Sequence, residues 1–234
     1  ELISISLGSA ETTLLKITSA YSSFVNGGKL IEPIFIDRIQ DSEGETIFKN
    51  EKRYCENCDL ISYSSDNTPK IKNNYKQIIS PQTAYQMTSI LEGVIERGTG
   101  KGLSDLNLQL AGKTGTTNNN TDAWFIGFTS NLVVGVYVGY DNPRSLGKIE
   151  TGAMTAMPIF KDFMKNAVTN YEARPFKVAK GIKMMVVDSV TGEKASFGSK
   201  QTLIEAFKEE KIENKSNIDN DRFKEINNNI LKFY

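Results

Sequence analysis

Ala111 to Asp141 reads AGKTGTTNNNTDAWFIGFTSNLVVGVYVGYD, and the fold of the chain turns on this stretch. Two hydrophobic runs, Ala123 to Phe128 and Leu132 to Tyr140, are split by a short Thr-Ser-Asn turn and preceded by a polar extended segment, Gly112 to Thr117. Apolar runs of this length, bounded by turn residues, predict consecutive antiparallel strands. In the last run Leu132, Val134, Val136 and Val138 fall on one face, and Val133, Gly135, Tyr137 and Gly139 on the other. Side chains alternate across a strand, so both faces are apolar, and the glycines leave room for a close neighbour. The expectation is a sheet covered on both sides.

The first strand of the set carries chemistry. Lys113-Thr114-Gly115-Thr116 places an ammonium, a hydroxyl, a residue without a side chain and a second hydroxyl on consecutive extended residues. Alternation puts Thr114 and Thr116 on one face, and Gly115 lets another chain approach closely. Such a strand suits an extended peptide that adds along the sheet and ends in a carboxylate. Lys-Thr-Gly alone has little specificity, since an exposed strand running into a polar turn has the same composition.

Composition sets bounds. The chain has 234 residues, 39% hydrophobic, with no net charge and no histidine. A neutral balance points away from nucleic acid or a charged membrane surface as partner. The absence of histidine excludes histidine-based triads and the usual zinc sites, whereas a lysine-based acyltransferase survives it. No metal and no cofactor are expected. No stretch approaches the roughly 20 apolar residues of a membrane span, and no charged-then-apolar signal pattern opens the sequence.

Taken in order, Ser9 can cap a helix whose stripe is Leu14, Ile17, Tyr21 and Val25, stopped by Asn26-Gly27-Gly28. Leu30 to Gln40 and Glu45 to Lys49 flank Asp41-Ser42-Glu43-Gly44 as a hairpin. Cys55-Glu56-Asn57-Cys58 is open to a redox motif, half a metal site or a local disulfide. Two loop cysteines, paired or free, are the plainest reading, and a metal shared between chains is the alternative. Ser80-Pro81 opens a helix with Ala84, Met87, Leu91, Val94 and Ile95 on one face until Gly98. Gly98-Thr99-Gly100-Lys101-Gly102 fails the phosphate-loop spacing and reads as a flexible loop leading to the Lys-Thr-Gly strand. Thr117 to Thr121 is a polar connector, and Trp124 reads as core. Pro158 opens a last helix to about Val168, with Ile159, Phe160, Phe163, Met164 and Ala167 mostly inward. Ile182 to Asp188 reads as a strand, followed by a Thr191-Gly192 turn and Lys194 to Phe197. The charged, asparagine-rich residues from Gln201 to Tyr234 read as a solvated helix and disorder.

Lys113 to Asn118 (KTGTTN), Asp122 to Gly127 (DAWFIG) and Val133 to Pro143 (VVGVYVGYDNP) together resemble the third motif and following strands of the class A, bifunctional penicillin-binding proteins. Gly8-Ser9 with Asn26-Gly27-Gly28, the Arg97-Gly98-Thr99-Gly100 loop, and Met157 to Met164 (MPIFKDFM) resemble that family in its expected order. The resemblance covers about the first 195 residues, and an ordered set is far more specific than any one motif. It implies an α+β fold, an antiparallel sheet flanked by helices as in the penicillin-binding transpeptidases and serine β-lactamases. It also implies a serine acyltransferase of peptidoglycan synthesis, acting on D-Ala-D-Ala stem peptides and trapped by β-lactams. Carried over, Lys113, Thr114, Gly115, Thr116 and Thr117 would bind substrate, with Lys113 giving positive charge and Thr114 and Thr116 holding the carboxylate. The backbone N–H of Thr116 would be an oxyanion donor, a role worth about 10²–10³ in rate when lost elsewhere.

The family's nucleophile motif, Ser-x-x-Lys opening a helix upstream of the strand, is not met. Ser145-Leu146-Gly147-Lys148 has the letters but follows the strand in a turn-like stretch, and Thr13-Leu14-Leu15-Lys16 has the spacing without the serine. Ser65-Asp66-Asn67 matches the second motif, Ser-x-Asn, in a polar loop where such residues serve turns, and in the family that motif precedes the region that residues 1–28 resemble. The chain is thus expected to be the C-terminal half of a transpeptidase domain over residues 1–171, a small β appendage over 172–200 and a polar tail, helical or disordered, over 201–234. Its partners would be the stem peptide, β-lactams and an upstream half-domain, at the periplasmic face of a bacterial inner membrane. The alternatives are a non-catalytic remnant or partner module of a split penicillin-binding protein, and an unrelated β-rich peptide-binding domain.

Overall fold

In the computed structural model of the chain, the described residues are 10–51, 53–59, 68–167 and 174–209, with Ile3 and Gly8. Helix α1 (Leu14–Val25) precedes two hairpins, β1 (Arg38–Gln40) with β2 (Thr46–Lys49) and β3 (Arg53–Glu56) with β4 (Lys70–Asn73). Helix α2 (Pro81–Glu96) leads through a 3₁₀ turn, Lys101–Leu106, into β5 (Ala111–Thr116), β6 (Asp122–Phe128) and β7 (Val133–Gly139). Helix α3 (Met157–Ala167) follows, and β8 (Ile182–Asp188) pairs with β9 (Thr202–Lys208).

β5, β6 and β7 form one antiparallel sheet in that order, with Lys113 opposite Ile126 and Phe125 opposite Val136. The alternation read from β7 decides the packing. On one face Ala123 and Phe125 meet Phe160 and Met164 of α3, all at 0% exposure, with Val134, Val136 and Val138 packed against them. On the other, Ala111 and Phe128 meet Leu91 of α2, Phe176, and Tyr21 and Phe24 of α1. Burying each ring contributes roughly 1.5–3 kcal/mol. Gly135 is where α1 crosses the sheet: a Cβ there would overlap the Thr18 hydroxyl and stand 2.9 Å from Leu14 Cδ1. The sheet is covered on both faces, as the sequence predicts.

α1 is capped by Thr13, whose hydroxyl accepts from Lys16 N–H at 3.2 Å; the helix therefore starts four residues beyond Ser9, which lies outside the described residues. It stops where Gly27 and Gly28 turn to positive φ, 78° and 90°. α2 is capped by Ser80, with Pro81 in its first turn, where a missing N–H costs nothing.

Other expectations are corrected. α3 begins at Met157, after a π-type turn over Gly152–Ala156, and not at Pro158; Val168 lies outside the described residues. Ile159 and Phe163 are 51% and 48% exposed, because α3 presents only the Phe160 and Met164 stripe to the sheet. Thr202–Lys208 is a strand, not a helix, since its alternating residues pair along the whole of β8, whereas Lys194 forms only an isolated bridge to Val187. The β1–β2 hairpin is observed, but residues 30–37 are not strand. Cys55 and Cys58 are joined in a disulfide at the end of β3. No helix among the described residues is long and apolar enough to cross a membrane.

Candidate functional site

Among the described residues, β5 is an edge strand and its outer side has no partner strand. Backbone groups in an antiparallel pair alternate between facing the partner and facing away. Thr117 N–H donates to Asp122 C=O at 3.2 Å, so the alternation turns Gly115 and Lys113 toward β6 as well. The N–H and C=O groups of Thr114 and Thr116 therefore point to the open edge. That is the hydrogen-bonding pattern an added extended peptide needs, one residue in two.

The side chains above that edge form a donor set. Thr116 Oγ1 accepts from Gly152 N–H at 3.0 Å, which leaves its own proton free to donate. Thr114 Oγ1 lies 3.0 Å from Thr99 Oγ1, so one of these hydroxyls donates to the other and the second keeps a free proton. Lys113 Nζ donates to Thr114 C=O at 2.8 Å and retains two N–H groups. An ammonium, two free hydroxyl protons and the outward Thr116 N–H together suit a carboxylate or a developing oxyanion.

The end of β5 is tied down by Asp122. Its carboxylate accepts from Tyr137 OH at 2.7 Å and from the Thr117 and Thr121 hydroxyls at 3.0 Å each. The Tyr137 bond, supported by both threonines, holds the Asp122 carboxyl below the usual carboxylate range. Between these anchors Asn119 and Asn120 adopt positive φ, 62° and 52°, and complete a tight polar turn. Trp124 is half-buried, with its ring 4.5 Å from that of Tyr137.

Lys113, Thr114, Gly115 and Thr116 all lie in β5, with Thr114 and Thr116 on one face and Gly115 opposite Trp124. Thr117 is taken up by the connector, through its hydroxyl and its N–H. Ser145 to Lys148 form no helix, and Asn120 Nδ2 donates to Gly147 C=O and Lys148 C=O. Thr13 is a helix cap, and Ser65 to Asn67 lie outside the described residues. A cavity of about 460 Å³ between Phe24, Tyr85 and Phe176 does not reach β5. Sequence reading missed the Thr99–Thr114 contact, since residues in different elements give no local signal, and the role of Gly152 at Thr116.

A model of the penicillin-binding protein transpeptidase domain matches residues 1–165. The chain is 42% identical, over its whole length, to penicillin-binding protein 1A of Rickettsia conorii, and 44% identical over 94% of its length to that of Rickettsia typhi. It spans 29% and 28% of those proteins, so they are more than three times as long. The crystal structure of penicillin-binding protein 1A from Haemophilus influenzae superposes with a TM-score of 0.72 at 33% identity, over 86% of this chain and 33% of that one. With the edge strand, its donor set and the two-sided packing in place, the match makes this chain a member of the penicillin-binding transpeptidase domain family.

Proposed function

We propose that the chain supplies the substrate strand of a peptidoglycan DD-transpeptidase, residues 1–171 forming the C-terminal half of the catalytic domain at the periplasmic face of the inner membrane. The observation that carries this is the open edge of β5, where outward Thr114 and Thr116 backbone groups lie beside Lys113 and free hydroxyl protons. A stem peptide ending in D-Ala-D-Ala lies along that edge, with its terminal carboxylate at the threonine hydroxyls and Lys113. A serine hydroxyl from an upstream segment attacks the penultimate D-alanine carbonyl. The carbonyl oxygen gains charge and is held by the Thr116 N–H, the peptide C–N bond breaks, and terminal D-alanine leaves with a proton. The resulting ester passes its acyl group to a neighbouring amine, or to water. A β-lactam, with its own carboxylate, follows the first half of the path and stays as the ester.

The test joins or mixes the chain with an upstream transpeptidase segment bearing a helical Ser-x-x-Lys, and measures acylation by a penicillin. Lys113→Ala and Thr116→Val each remove a charge-assisted hydrogen bond, for which about a ten-fold loss of acylation rate or more is expected. Unchanged acylation in both variants contradicts the site.

A further inference from the structure

Thr99 sits in Arg97-Gly98-Thr99-Gly100, where α2 ends and the chain folds back on its own last turn. Gly98 N–H and Gly100 N–H both donate to Val94 C=O, at 3.2 and 2.9 Å. A Cβ on Gly98 would lie 3.0 Å from Val94 Cα, and one on Gly100 2.6 Å from Ile95 Cδ1 and 3.1 Å from Val94 C=O, so a side chain at either position would press on the helix. The loop is pinned to the helix rather than hanging free, and it projects one side chain toward β5. That side chain is Thr99, whose hydroxyl meets Thr114 Oγ1 at 3.0 Å.

A threonine hydroxyl rotates freely about its C–O bond unless a partner fixes it. With Thr99 donating, Thr114's lone pair is occupied and its own proton is left free to donate. The anchor behind Thr99 comes from the other end of the chain. Arg97 Nη2 donates to Glu205 Oε1 of β9 at 2.9 Å, and its guanidinium lies across Gly93. β9 runs along the outer face of α2, with Gln86 Nε2 donating to Ala206 C=O at 2.9 Å and Lys208 Nζ to Thr83 Oγ1 at 2.8 Å. The strand lies outside the matched residues 1–165 yet grips the helix that leads into the Thr99 loop.

Resting on the function proposed above, we infer that Thr99 is a positioning residue for the substrate carboxylate, orienting the Thr114 hydroxyl, and that β9 holds Thr99 in place through the Arg97–Glu205 pair. The test uses the chain assembled with the upstream segment and two probes, a penicillin and its methyl ester, which lacks the carboxylate charge. Thr99→Val should slow acylation by the penicillin about five-fold, in keeping with one hydrogen bond, and leave the ester rate unchanged. Thr99→Ser should restore the penicillin rate. Glu205→Gln should give a smaller loss in the same sense, about two-fold, because the pair is solvent-exposed. Equal losses on both probes would make Thr99 merely structural, and an unchanged penicillin rate in Thr99→Val would equally overturn the inference while leaving the transpeptidase reading intact. An unsubstituted assembly that takes no label would sink both.

Discussion

The β5–β7 sheet and the β8–β9 hairpin are both antiparallel and both rich in β-branched residues, yet they are built for different work. The sheet is covered on two faces, with Phe125, Phe128 and Phe160 at 0% exposure. The hairpin is covered mainly on one: Val187 is buried, and Met185, Leu203 and Phe207 beside it are half-buried, while Val186 and Ile204 on the other face stay 48% and 64% exposed. Two-sided packing fixes the position of an edge strand, so the open side of β5 can hold donors at set distances. One-sided packing makes a clamp, attached to α2 by polar side chains at a few points. A site built on the first needs little support from sequence-local turns, and the second contributes only through what it grips.

Substitutions that invert this difference should show the largest effects. Phe160→Ala leaves a cavity under β6, and a loss of about 3–5 kcal/mol in urea unfolding is expected. A loss below about 1 kcal/mol would mean that α3 does not seal the sheet. Asp122→Ala removes the acceptor for three hydroxyls at the end of β5, and about 1–2 kcal/mol should go with it. This contribution has a direction in pH. The folded carboxyl has a lowered pKa, so its stabilisation is complete above the unfolded value of about 3.9 and is lost as pH falls through the folded one. The stability gap between the natural protein and Asp122→Asn should therefore narrow on acidification; a gap that widens would contradict the assigned hydrogen bonds. On the clamp, Ile204→Ala should cost about 0.5 kcal/mol or less, because its side chain is already in water. A cost rivalling Phe160→Ala would erase the distinction between the two sheets.

The same contrast explains what the sequence disclosed. β5 to β7 were legible because alternation, a Thr-Ser-Asn turn and two glycines all agree, and Ser80-Pro81 announced α2. β9 was not, because Thr202-Leu203-Ile204-Glu205 opens a highly charged stretch and only pairing with β8 selects the strand. The start of α3 was misplaced because Pro158, acceptable anywhere in a first turn, looked like the boundary. At the site, Lys113 to Thr116 could be read from a motif, while Thr99 reaches Thr114 only after α2 and β5 pack together. Which threonine N–H groups face outward depends on the register with β6, which alternation alone does not give.

The most direct measurement is labelling with a fluorescent penicillin, followed by denaturing electrophoresis, on the chain alone, on an upstream Ser-x-x-Lys segment alone and on the two mixed, with both shown to be folded. If β5 completes a transpeptidase, label appears on the upstream segment only in the mixture, and Lys113→Ala in this chain diminishes it. Label on this chain by itself would place the nucleophile here and contradict the account. An unlabelled mixture of folded parts would contradict it too, leaving a chain with the transpeptidase fold and no part in the reaction.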